Sequence, residues 1–173
     1  MSKKIIIIIL SIFVAASILI SGCITDKNNG TNGNETKTNI SNIIPTINLP
    51  SGLTFMAIHE TTVDVGGSSR NAIEGIYRSN TDEEDVLIDV FNTETPEALL
   101  NEYKSEYKDA NYNPFNETSI NGHKATQVKY YITKNGTQIP KYILVWTTKN
   151  SMIKVGGSVD AQKVINLATA TNS

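Results

Sequence analysis

The apolar positions of this chain follow three successive patterns. From Ile5 to Ile20 the chain is almost wholly apolar, interrupted by Ser11 and Ser17. Residues 24–44 then alternate Asn28, Asn29, Asn32, Asn34, Asn39 and Asn42 with glycine and threonine, and offer almost nothing apolar before Ile40. From about Pro45 onward apolar residues recur with the periods of strands and helices. Leu53 to Ile58, Ala72 to Arg78 and Asp85 to Phe91 read as strands, with Val86, Ile88 and Val90 on one face of the last. Gly66-Gly67 falls in the loop between the first two, His59-Glu60 begins that loop, and Ser79 to Glu84 forms the next turn.

A helix is expected after Thr95, which can cap it, with Pro96 in the favoured first position. Leu99, Leu100, Tyr103 and Tyr107 give it one apolar stripe. Phe115 to Ile120 leads into Asn121-Gly122, and His123 to Ile132 leads into Asn135-Gly136. Both dipeptides favour the type I′ turn of a hairpin, because both tolerate positive φ. Ile139 to Thr147 is apolar on both faces, the mark of a central strand, and Met152 to Ser158 follows it. Asp160 caps a closing helix whose inner face is Val164, Leu167 and Ala168, with Val159 placed to staple onto Val164. The order β-β-β-α-β-β-β-β-α argues an α+β fold, a mostly antiparallel sheet covered by two amphipathic helices.

The amino-terminal run has the parts of an export signal: Lys3 and Lys4, an apolar stretch, then the small residues Ser21 and Gly22 before Cys23. Ile5 to Ile20 would span roughly 24 Å as a helix, short of a hydrocarbon core of about 30 Å. An uncleaved anchor is the rival reading, with the lysines inside and the rest of the chain outside. Ile20-Ser21-Gly22-Cys23 resembles the lipobox of prokaryotic lipoproteins. The resemblance implies cleavage between Gly22 and Cys23 and lipidation of Cys23 with acyl chains such as palmitate. One such chain holds a protein marginally and two hold it stably. The expected division is a signal peptide over 1–22, a lipidated cysteine and flexible tether over 23–44, and one extracytoplasmic domain over 45–173.

Charge and cysteine content narrow the function classes. The whole chain carries a net charge of −2, and removal of residues 1–22 takes away Lys3 and Lys4 and no acid, leaving about −4. Such a domain has no electrostatic reason to bind nucleic acid. Cys23 is the one cysteine, so no intrachain disulfide is available. Asn29, Asn34, Asn39, Asn116 and Asn135 each begin an N-x-S/T sequon and are candidate glycan acceptors in an exported chain, although an Asn- and Thr-rich sequence also produces the motif by chance.

Ile120-Asn121-Gly122-His123-Lys124-Ala125, then Leu144-Val145-Trp146, Ile153-Lys154-Val155-Gly156-Gly157 and the Asp160 helix form a succession that resembles uncharacterised extracytoplasmic domains of prokaryotic lipoproteins and the PsbP-like α/β/α sandwich. The resemblance covers roughly residues 115–171. It implies an accessory or binding module and transfers no active site.

The chemistry-bearing residues are sparse. His59 and His123 lack the spacing of a zinc site, and each reads as a surface residue unless the fold brings them together. Asp82-Glu83-Glu84-Asp85 lacks the alternation and glycine of a calcium loop. No serine stands in a G-x-S-x-G elbow. Gly156-Gly157 marks a bulge or a close backbone approach. Tyr131, Tyr142 and Trp146 are the candidates for lining an apolar ligand groove. No cofactor or metal is implied. The expectation is a membrane-anchored surface lipoprotein that binds an unidentified protein, polymer or lipid partner without catalysis. The alternatives are a carrier of an apolar ligand between sheet and helices, and a hydrolase built on a histidine beside a carboxylate.

Overall fold

The computed structural model describes residues 43–173. Cys23, the Gly22-Cys23 bond and the sequons at Asn29, Asn34 and Asn39 lie outside the described residues. The elements are β1 (Leu53–Val65), β2 (Ser68–Ser79), β3 (Asp85–Asn92), α1 (Pro96–Ser105), β4 (Phe115–Ile120), β5 (His123–Lys134), β6 (Thr137–Thr147), β7 (Ser151–Ser158) and α2 (Ala161–Thr169). The strands form one seven-stranded sheet of order β1-β2-β3-β7-β6-β5-β4, with every neighbouring pair antiparallel. The chain is of α+β class.

The turns follow local chemistry. Asn121 (φ 49°) and Gly122 (φ 84°), and Asn135 (φ 51°) and Gly136 (φ 76°), hold the paired positive φ of a type I′ hairpin. Gly66 and Gly67 do the same between β1 and β2, with φ of 63° and 82°. The expected loop there is therefore a tight hairpin. His59 and Glu60 sit inside β1 and pair with Glu74 and Ile73.

Register sorts the strand residues onto two faces. On one face Val86, Ile88, Leu144, Trp146, Ile153 and Val155 share a buried cluster with Val164, Leu167 and Ala168 of α2. On the other, Val65, Ala72, Phe91, Val128, Val145 and Met152 cluster with Leu99, Leu100 and Tyr103 of α1. β6 serves both clusters, Leu144 and Trp146 on one side and Ile143 and Val145 on the other. Its neighbours β5 and β7 leave it no free edge.

Asp160 caps α2 by accepting from the backbone N–H groups of Gln162 and Lys163. Thr95 occupies the cap position of α1 but its hydroxyl makes no cap bond, contrary to expectation. Val159, the residue expected to staple onto Val164, is 40 % exposed. The folded body also begins earlier than residue 45. Ile43 and Ile44 are 6 % and 3 % exposed and belong to the α2-side cluster. The Asn172 N–H donates to the Ile43 carbonyl at 3.3 Å, which brings the two ends of the described chain together. The Tyr77 hydroxyl fastens the same segment by donating to the Pro45 carbonyl at 2.8 Å.

β6 and β7 approach closely beside a register shift between Tyr142 and Ile143. A Cβ placed on Gly156 would lie 2.5 Å from Ile143 Cγ1 and 2.8 Å from the Tyr142 carbonyl oxygen. Gly157 next to it has φ of 102°. The glycine pair is thus both the bulge and the close approach.

Candidate functional site

Register aligns a row of charged side chains across the α1-side face. His59 on β1 pairs with Glu74 on β2, Glu74 with Asp89 on β3, and Asp89 with Lys154 on β7. Directly opposed residues on adjacent strands have side chains close enough to interact. His59 Nε2 lies 3.3 Å from Glu74 Oε1, and Lys154 Nζ lies 2.8 Å from Asp89 Oδ2. Side-chain exposure is 45 % at His59, 15 % at Glu74, least at Asp89 with 2 %, and 18 % at Lys154.

Asp89 is the unusual member. A carboxylate is almost never fully buried unless paired, and only one of its oxygens is paired here. Oδ1 is buried and has no hydrogen-bond partner. The Glu74 carboxyl stands within hydrogen-bonding reach of Asp89. Burial holds Glu74 above the usual carboxylate value, the Asp89 charge and the contact with its carboxyl add to the rise, and His59 and Lys154 oppose it. Two acceptors facing each other without a proton repel, and this is the arrangement in which one carboxyl retains its proton.

The other polar clusters are internally satisfied. In the turn before β3, Lys163 Nζ donates to Asp82 at 2.8 Å and to Ser79 Oγ at 2.8 Å. That bond, with a further one from Ser79, holds Asp82 below its ordinary value. Glu84 binds Lys141 and accepts from the Val159 N–H at 3.0 Å, and Asp85 pairs with Arg78. Three of the four acids in the run, Asp82, Glu84 and Asp85, are struts from this turn to α2, β6 and β2. Among the described residues no group of three or more His, Cys, Asp or Glu is placed to hold a metal ion.

The two histidines do not meet. His123 opens β5, while β2, β3, β7 and β6 stand between β5 and β1. Five strand spacings amount to roughly 24 Å.

The three aromatic residues proposed for a groove are divided. Tyr131 and Tyr142 share a face with Lys129, whose Nζ is 5.3 Å from the Tyr131 ring centre and 6.0 Å from that of Tyr142. Tyr112 meets the Tyr131 ring edge-on at 5.3 Å. Trp146 is on the same face but fully buried in the α2-side cluster, where its indole N–H donates to Ser173 Oγ. A separate depression of about 410 Å³ lies across β1, β2 and β3, lined by Glu60, Thr62, Asn71, Ile73, Val90 and Asn92 among others. Asn116 on β4 and Asn135 at its hairpin tip are exposed, so both sequons in the described chain are sterically open.

The four members of the charged row are scattered through the sequence, and only sheet register unites them. One signal was nonetheless visible: Asp89 stands inside Val86-Leu87-Ile88-Asp89-Val90-Phe91, and an acid in a buried strand requires a partner. No helix among the described residues is long and apolar enough to cross a membrane. Comparison with family models, curated proteins and solved structures finds no match.

Proposed function

We propose that this chain is a lipoprotein held on the outer face of the cell membrane by lipid on Cys23, with a non-enzymatic binding or accessory domain carried beyond a polar tether. The observation that carries the reading is the order of parts: a basic start, an apolar run, Ile20-Ser21-Gly22-Cys23, an Asn- and Thr-rich stretch, then a body with its own core. A tethered module works at high effective concentration near the membrane, so its contacts need not be tight. The same proposal takes the domain as a PsbP-like α/β/α sandwich, α1 over one face of the sheet and α2 over the other. The division of Leu99, Leu100 and Tyr103 from Val164, Leu167 and Ala168 between separate clusters supports it. The partner is a protein, a surface polymer or a lipid.

The other readings have less behind them. A carrier of an apolar ligand would draw on Tyr131, Tyr142 or Trp146, and of these Trp146 is occupied in packing. A hydrolase would use His59 beside Glu74, but the same-face neighbours along β1 are Ala57 and Thr61, and along β2 Ala72 and Ile76. That set contains no serine or cysteine nucleophile.

Mass spectrometry of protein extracted from membranes tests the anchor. The expected species begins at Cys23 and carries added lipid mass, and Cys23→Ser removes that mass. Recovery of the intact precursor, with residues 1–22 attached and the sulfur unmodified, overturns the proposal.

A further inference from the structure

We propose that Glu74 and Asp89 form a proton-binding site, one hydrogen ion held between their carboxyl groups, with His59 on the solvent side and the half-buried Lys154 as the counter-charge. The geometry carries this independently of the anchor. Asp89 Oδ2 is taken by Lys154, and Oδ1 is buried with no donor among the protein's own groups. Glu74 is the cross-strand partner of Asp89 and its carboxyl is within reach. A proton on Glu74 supplies the missing donor, and the other side of Glu74 stays 3.3 Å from His59. The occupied row then reads His59, Glu74–H, Asp89 and Lys154, with each carboxylate oxygen of Asp89 satisfied. The vacated row leaves two carboxylates facing each other, one of them 2 % exposed, at a cost that burial magnifies.

A cation larger than a proton fits less well. Lys154 already holds one side of Asp89, and Oδ1 has almost no accessible surface for an entering ion. The remaining charged groups near this face are committed elsewhere. On α1, Glu102 binds Arg70, Glu106 accepts from the Gly66 N–H, Glu97 accepts from Thr147, and Lys104 binds Glu117 on β4. Across β6 and β5 the row continues as Val145 and Thr126, and the Thr126 hydroxyl donates to Glu117.

The site links stability to pH. Glu74 is raised above its ordinary value of 4.5. Between that value and the raised one, the folded chain holds a proton that the unfolded chain has released. Stability therefore falls as pH rises through this window, and the loss is complete above the raised value.

The test is thermal unfolding of the full chain in detergent micelles, followed by Trp146 fluorescence from about pH 4 to about pH 9. The wild type should lose midpoint temperature with rising pH. Glu74→Gln, whose amide donates permanently to Asp89, should lose that component and be the more stable form at the alkaline end. His59→Gln removes a group that opposes the rise and should move the decline to higher pH. Asp89→Asn should move it to lower pH. Carbon-13 carboxyl resonances should show a glutamate titrating above the usual range in the wild type and absent from Glu74→Gln. A wild-type pH profile retained by Glu74→Gln overturns the proposal. So does alkaline stability restored by calcium or zinc in the wild type but not in Glu74→Gln, since a metal would then be the occupant.

Discussion

Gly156→Ala is the sharpest probe of how β6 and β7 meet. The new methyl carbon would stand 2.5 Å from Ile143 Cγ1, 2.8 Å from the Tyr142 carbonyl oxygen and 2.9 Å from Ile143 Cα. Ordinary carbon contacts begin near about 3.5 Å, so the deepest overlap approaches 1 Å. Ile143 can turn its side chain, but the other two atoms belong to the β6 backbone. Relief requires the bulge beside Gly156 to open or β6 to shift, and overpacking of this kind costs about 1–3 kcal/mol. The positive-φ penalty applies to Gly157 and not to Gly156, so the loss is steric. With a urea slope of about 2 kcal/mol per M, a 2 kcal/mol loss lowers the unfolding midpoint by about 1 M. The single tryptophan is fully buried at position 146 and reports the transition directly. In an Ile143→Ala background the closest contact disappears while the backbone contacts remain, so the penalty of Gly156→Ala should shrink without vanishing. A midpoint for Gly156→Ala within error of the wild type, with the slope unchanged, would refute the close approach.

Other outcomes follow from the packing. Leu167→Ala, at a site with no exposure, should cost about 2–5 kcal/mol in the same urea assay. Asp160→Ala should cost about 0.5–2 kcal/mol through loss of the α2 cap, whereas Thr95→Ala at the start of α1 should cost much less. Burial pushes the Tyr107 phenol up to about 12 and also raises Tyr77, Tyr103 and Tyr130. Unfolded phenols ionise near 10, so stability should fall as pH rises from that point, and tyrosinate absorbance should show these four ionising late, together with unfolding. Early ionisation of Tyr77, Tyr103, Tyr107 and Tyr130, independent of unfolding, would contradict their burial.

The element order was legible because its signals are local. Asn-Gly pairs fix hairpins, Asp160 fixes a helix start, and the two-sided apolar pattern of Ile139 to Thr147 marks an interior strand. The far halves of β1 and β2 were hidden. Thr61, Thr62, Asp64, Ser69 and Arg70 show no apolar alternation, because β1 lies at the sheet edge and much of that ribbon is exposed. Ile43 and Ile44 were obscured by the polar stretch before them, although they pack in the core. The charged row was illegible as a unit, since His59 and Lys154 become parts of one array only after four strands are laid in register. Trp146 illustrates the converse: its place in an apolar strand is legible, and its depth depends on packing in the cluster that α2 completes.

The bond between Asn172 and Ile43 has an engineering corollary. A described body in which Ile43 and Asn172 lie side by side resembles a bead threaded on a loop. Its ends should accept joining by a short linker, with new termini opened at the exposed Asn135-Gly136 tip, and the sheet should survive such circular permutation.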